Sequence, residues 1–154
     1  RQIPDVQLLI VGEGRMKKKL AAKTLRLSMG KSVVFISSVA DTTQILPIMD
    51  LFVMPSLKEG LGLSLMEAMA SGLTVIGSDI GGIKNLIQNG VNGLLIKPAD
   101  VSGLSAAVLE LLKDPAKRAF LGNNARDFIK QNFSQEKMIL QTEGVYRECL
   151  SVGY

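Results

Sequence analysis

The sequence predicts an α/β protein, a doubly wound parallel sheet followed by a helical C-terminal extension. Two observations carry this. Short, continuously apolar runs at 6–11, 33–36, 51–54, 74–76 and 94–96 alternate with stretches of helical spacing. Strands apolar along their whole length belong to a parallel sheet covered on both faces. After Pro98 the pattern changes to helices alone.

Taken in order, residues 6–11 read as a buried strand ending in the turn Gly12-Glu13-Gly14. Residues 16–29 read as a helix with Leu20, Leu25 and Leu27 among its apolar positions, and Gly30 as its stop. After the strand at 33–36, Asp41 or Thr42 can cap a helix at 43–49, which Pro47 keeps short or irregular. The strand at 51–54 leads to a helix at 63–70, ended by Gly72. The strand at 74–76 is followed by a helix from Gly81-Gly82 through Ile87. Asn89-Gly90 and Asn92-Gly93 are turns before the strand at 94–96. Helices follow at 102–112, at 115–132 with Pro115 near its first position, and at 135–150. With no internal repeat and no linker, residues 1–154 are expected to form a single domain with a helical tail from about 101. In the last helix Met138, Val145 and Leu150 are expected to pack either on their own domain or on another.

The chain has 154 residues, 47% hydrophobic and 21% charged, enough to bury a core and too apolar for disorder. No apolar run approaches the roughly 18 residues of a membrane span. The first residues run straight into a strand without an initiator methionine or room for a signal peptide, so the chain is expected to be a fragment of a longer protein. Cys149 is alone and there is no histidine. That excludes a disulfide framework, Ser-His-Asp and Cys-His catalysis, and histidine or cysteine metal sites from this segment. A reducing, cytoplasmic setting fits. Much of the net charge of +4 comes from Arg15, Lys17, Lys18, Lys19, Lys23 and Arg26. This cluster reads as a solvated helix face, or else as a contact for phosphate, an anionic membrane or nucleic acid. No aromatic interleaves with it, so nucleic acid is not expected as a partner.

Two segments invite a chemical reading. Gly12-Glu13-Gly14 follows a strand, but a dinucleotide fingerprint wants a third glycine where Lys17 stands. A tight strand-to-helix turn accounts for it. The segment from Glu59 to Glu67 says more. Gly60 and Gly62 let a ligand approach closely. The amides of Leu63 and Ser64 lie in a first helical turn, where they have no helical partner and favour an anion. Glu67, one turn further, can accept hydrogen bonds from a diol, and Glu59 lies on the other side of the turn. A ligand with both phosphate and hydroxyl groups, such as a sugar nucleotide, suits that pattern. The residues alone leave a second reading open, with Glu59 as a helix cap and Glu67 merely exposed.

The run Pro55-Ser56-Leu57-Lys58-Glu59-Gly60-Leu61-Gly62-Leu63-Ser64-Leu65-Met66-Glu67-Ala68-Met69-Ala70-Ser71-Gly72 resembles the acid-seven-residues-acid signature of retaining glycosyltransferases with two Rossmann-like domains, often called glycosyltransferase family 4. Met49-Asp50-Leu51-Phe52-Val53, the stretch from Thr74 to Gly82 and Asn89-Gly90-Val91-Asn92-Gly93-Leu94-Leu95 resemble the flanking stretches of that family. The resemblance implies the C-terminal, donor-binding half of a GT-B fold. It implies a nucleoside diphosphate sugar as donor, hexosyl transfer with retention, and no metal or other cofactor. It places Glu59 beside the transferred sugar as the catalytic acid and Glu67 on the ribose. The backbone of Gly60, Leu61, Gly62 and Leu63 then faces the diphosphate and sugar. The loop from Ser37 to Asp41, with Ser37 and Val39, would meet the base, and Gly12 and Gly14 would line the same cleft. It further implies an N-terminal acceptor domain as partner, absent here with the Arg and Lys that clamp the diphosphate, and membrane contact, if any, through that half. A sugar-nucleotide epimerase or phosphorylase of the same architecture, or a non-enzymatic nucleotide-binding module, is the alternative. The sequence departs from the family at Ser37, where glycine is usual, and at Lys84-Asn85, where Pro-Glu is usual.

Overall fold

The computed structural model describes residues 3–151. Its internal packing divides the chain into two compact units, one up to Ile45 and one from Leu46 onward. Every strand pairing in both is parallel, with helices between the strands, which is a Rossmann-like α/β architecture.

In the first unit β1 (Leu8–Val11) and β2 (Val33–Ile36) flank α1 (Lys17–Arg26). Leu8 lies opposite Val33 and Val11 opposite Ile36. Several expectations need correction here. β1 begins at Leu8, not at residue 6, and it is not buried: Leu8 and Val11 are exposed. Among the described residues β1 is paired along one edge only, and α1 buries no side chain. Leu20, Leu25 and Leu27, the apolar positions named for this helix, are all exposed. α1 also stops before Gly30. Ser28 takes a left-handed conformation (φ 55°), and the amides of Met29 and Ser28 reach back to the carbonyls of Thr24 and Leu25, both at 2.9 Å, which closes the helix in a Schellman motif.

Where Pro47 forbids a regular helix, the chain makes two 3-10 turns, Thr42–Gln44 and Leu46–Ile48. Asp41 caps the first by accepting the amide of Thr43 at 3.0 Å.

The second unit holds β3 (Leu51–Met54), β4 (Thr74–Ser78) and β5 (Leu94–Ile96) in the order β3-β4-β5. All five residues of β4 are buried, as a central strand under helices requires. β4 runs two residues past the expected end because Gly77 and Ser78 continue the ladder to Leu95 and Ile96. α2 (Leu63–Ala70) buries Leu65, Ala68 and Met69 against Val75, Ile83 and Leu86. α3 (Gly81–Lys84) is shorter than expected and unwinds at Asn85. On the other side Ile76 and Ile96 meet Ala107 and Leu111 of α4 (Val101–Lys113) and Leu121 of α5 (Pro115–Asn132). Asp100 and Asp114 cap these two helices through the amides of Gly103 and Lys117, both at 2.9 Å. Asn92 is buried and satisfied, accepting from Gln88 N at 2.7 Å and donating to Leu86 O at 3.1 Å. α6 (Gln135–Ser151) buries no residue. Met138, Val145 and Leu150 are exposed, so packing on their own domain is not seen among the described residues.

Candidate functional site

The site is built where β3 ends. Met54 is buried and anchors the strand, and the chain then leaves through Pro55 into an open loop. Gly62 closes that loop as the N-cap of α2, in the left-handed region at φ 67° and ψ 52°. A residue with a β-carbon is disfavoured there by roughly 1–2 kcal/mol. No side chain caps α2, so Glu59 is not a helix cap. The first bond of the helix runs from Met66 N to Gly62 O at 3.0 Å. The amides of Leu63 and Ser64 precede it and point out of the helix start.

Glu59, Leu61, Gly62, Leu63, Ser64 and Glu67 line one open depression of about 520 Å³. The two acids therefore share a single hollow, with the start of α2 between them. Glu59 is half-buried and Glu67 exposed. The amide of Gly60 donates to the Glu59 carboxylate at 3.2 Å, which fixes that side chain against the turn. Gly60 itself is not among the lining residues. Its carbonyl faces Gly82 at the start of α3, where a β-carbon would overlap that oxygen and lie 2.8 Å from the carbonyl of Glu59. Two amides and two carboxylates thus converge on one surface. Such a surface can receive an anionic group at the helix start and hydroxyl groups on either side.

Sequence reasoning placed Glu59, Leu61, Gly62, Leu63 and Glu67 together, and the structure brings them together. It missed two contributions. Ser64 lines the hollow as a residue in its own right, where the sequence reading uses only its amide. Gly82 supports the loop by close approach, although it had been read only as a helix start. A pair of adjacent glycines after a buried strand was the available signal.

The remaining candidates, Gly12, Gly14, Ser37 and Val39, lie in the first unit. Gly12 is exposed with φ 128° and donates to Ile36 O at 3.0 Å. Lys17 donates to the Ser37 hydroxyl at 2.9 Å and to the Glu13 carboxylate at 3.3 Å. The Ser37 hydroxyl, and then Lys17, hold the Glu13 carboxyl below its ordinary pKa. Lys17 therefore ties the ends of β1 and β2 together where a third glycine was sought. Among the described residues no group of three or more His, Cys, Asp or Glu side chains gathers as a metal site would require.

A parallel α/β fold with an amide-and-carboxylate hollow beyond a strand's carboxyl end has the layout in which such proteins take their ligands. The chain belongs to the glycosyl transferases group 1 family, whose model matches residues 1–128. It is 34% identical over 146 residues to N-acetyl-alpha-D-glucosaminyl L-malate synthase of Bacillus anthracis, covering 95% of this chain and 38% of that relative. Among solved structures, sucrose-phosphate synthase of Thermosynechococcus elongatus superposes with a TM-score of 0.90 at 30% identity, covering 99% of this chain and 40% of the other. Alr3699/HepE of Anabaena, solved in complex with UDP, also superposes at 0.90, with 27% identity over 95% of this chain and 42% of the other. The chain thus spans about two fifths of the length of these relatives.

Proposed function

We propose that this chain is the donor-binding domain of a retaining glycosyltransferase that moves a sugar from a nucleoside diphosphate sugar to an acceptor hydroxyl. The observation that carries the reading is the single hollow holding Glu59 and Glu67 on either side of the α2 start. The diphosphate sits against the amides of Leu63 and Ser64, where the helix dipole and unpaired N–H groups favour it. Glu67, one turn along, accepts hydrogen bonds from the ribose diol. Glu59 contacts hydroxyls of the transferred sugar and stabilises the positive charge that develops on it. Catalysis is positioning and charge stabilisation, with no metal in the step. HepE, solved with UDP and also with UDP-glucose, lends support to this class of donor.

The second domain, which would bind the acceptor, lies outside this chain, in keeping with its share of its relatives' length. The test is calorimetric titration of the 154-residue chain with UDP, GDP and ADP, followed by donor and acceptor turnover assays. Weak binding of one nucleotide without turnover is expected. Absence of binding to all three contradicts the donor-site assignment, and turnover by the chain alone contradicts the need for a second domain.

A further inference from the structure

We propose that α1 and its flanks form a docking face for an anionic membrane surface. From residue 15 to residue 31 the chain has seven basic residues and no acidic one. α1 buries none of its side chains. At 100° per residue Lys19, Lys23 and Arg26 fall in one row along α1 and Leu20 in the row beside it, with Arg15 and Met16 just before the helix and Leu27 just after it. Met16, Leu20 and Leu27 are 53%, 38% and 52% exposed. The opposite face, with Lys17, Ala21 and Thr24, is the half-buried one. Lys17 is engaged there by Ser37 and Glu13 and takes no part in the row.

The row has no internal purpose that its neighbours reveal. Among the described residues none of Arg15, Lys19, Lys23 or Arg26 forms an ion pair. Like charges three and four residues apart repel along a helix, so the row is stabilised by an external anion. The adjoining apolar side chains select what kind. A lipid surface accepts both parts at once: headgroup phosphates meet the cations while Met16, Leu20 and Leu27 enter the boundary of the acyl region. A nucleic acid would answer the cations but leave the apolar side chains in water, and no aromatic between residues 15 and 34 offers a stacking platform. The proposal does not depend on the hollow between Glu59 and Glu67, which lies in the other unit.

The experiment is co-sedimentation of the 154-residue chain with phosphatidylcholine vesicles containing 0 or about 30% phosphatidylglycerol, at low and high salt. Each basic residue near an anionic leaflet is worth about fivefold in partitioning. The triple variant Lys19→Glu, Lys23→Glu, Arg26→Glu is expected to lower partitioning at least about 100-fold. A control with the same change in net charge, Lys97→Glu, Lys113→Glu, Lys130→Glu, is expected to keep most of it. Leu20→Ser with Leu27→Ser is expected to remove the part that survives high salt. Circular dichroism of each variant separates loss of binding from loss of fold. Equal loss in the two triple variants, equal binding to neutral vesicles, or binding to an oligonucleotide without binding to vesicles overturns the proposal.

Discussion

Gly82 lies so close to Gly60 that a β-carbon on the first would overlap the carbonyl oxygen of the second. The start of α3 therefore props the loop that carries Glu59. The neighbouring Gly81 has open space around the same position.

This pair gives a paired test. Gly82→Ala must push the Glu59-Gly60 backbone aside, and overpacking of that kind costs about 1–3 kcal/mol. Both the urea midpoint and nucleotide affinity are expected to fall. Gly81→Ala, one residue away, is expected to leave both unchanged.

Glu67 is expected to act on the ribose and not on the phosphate. A hydrogen bond to a charged group contributes about 1.5–3 kcal/mol, so Glu67→Ala should weaken binding of a ribonucleoside diphosphate by about tenfold or more. Its 2′,3′-dideoxy counterpart should bind the wild-type chain and the variant alike. Equal weakening of both ligands, measured by calorimetry, would remove the ribose role.

The hydroxyl of Ser78 is fully buried in β4 and has no hydrogen-bond partner among the described residues. An unsatisfied hydroxyl costs about 1–3 kcal/mol in a protein interior. Ser78→Ala is expected to raise the unfolding midpoint, and a lower midpoint would mean that the hydroxyl has a partner in solution.

The pKa of Asp100 lies below its ordinary value, chiefly because the amide of Gly103, and then the Ser102 hydroxyl, bonds its carboxylate. A depressed folded-state pKa contributes stability that is present above the unfolded value, near 3.9. That stability is lost as pH falls through the lower folded value. The stability difference between the wild-type chain and Asp100→Ala is therefore expected to be full at pH 7 and to shrink below about pH 4. Urea melts of both across that range measure it.

Much of the fold can be read in the residues because the signals are local. Pro115 after Asp114 sets the start of α5, and the apolar runs at β2, β3 and β5 end where the ladders end. What escaped is set by packing or by backbone choice that no single residue announces. α1 ends at Arg26 and is closed by Ser28, a non-glycine in left-handed conformation, and not by the glycine two residues later. β4 continues through Gly77 because its neighbour strand pairs with it there. At the candidate site the acids and Gly62 were legible from their spacing. The support from Gly82 and the Lys17–Ser37 bond depend on contacts 22 and 20 residues apart in sequence, which periodicity does not encode.

The donor site is tested most directly by amide chemical-shift mapping of the isotope-labelled 154-residue chain titrated with UDP, GDP and ADP. With the nucleotide that binds, the largest shifts are expected at Gly62, Leu63 and Ser64, with Glu59 and Glu67 beside them. Largest shifts at α4 to α6, with the α2 start silent, would contradict the placement of the diphosphate between the two acids.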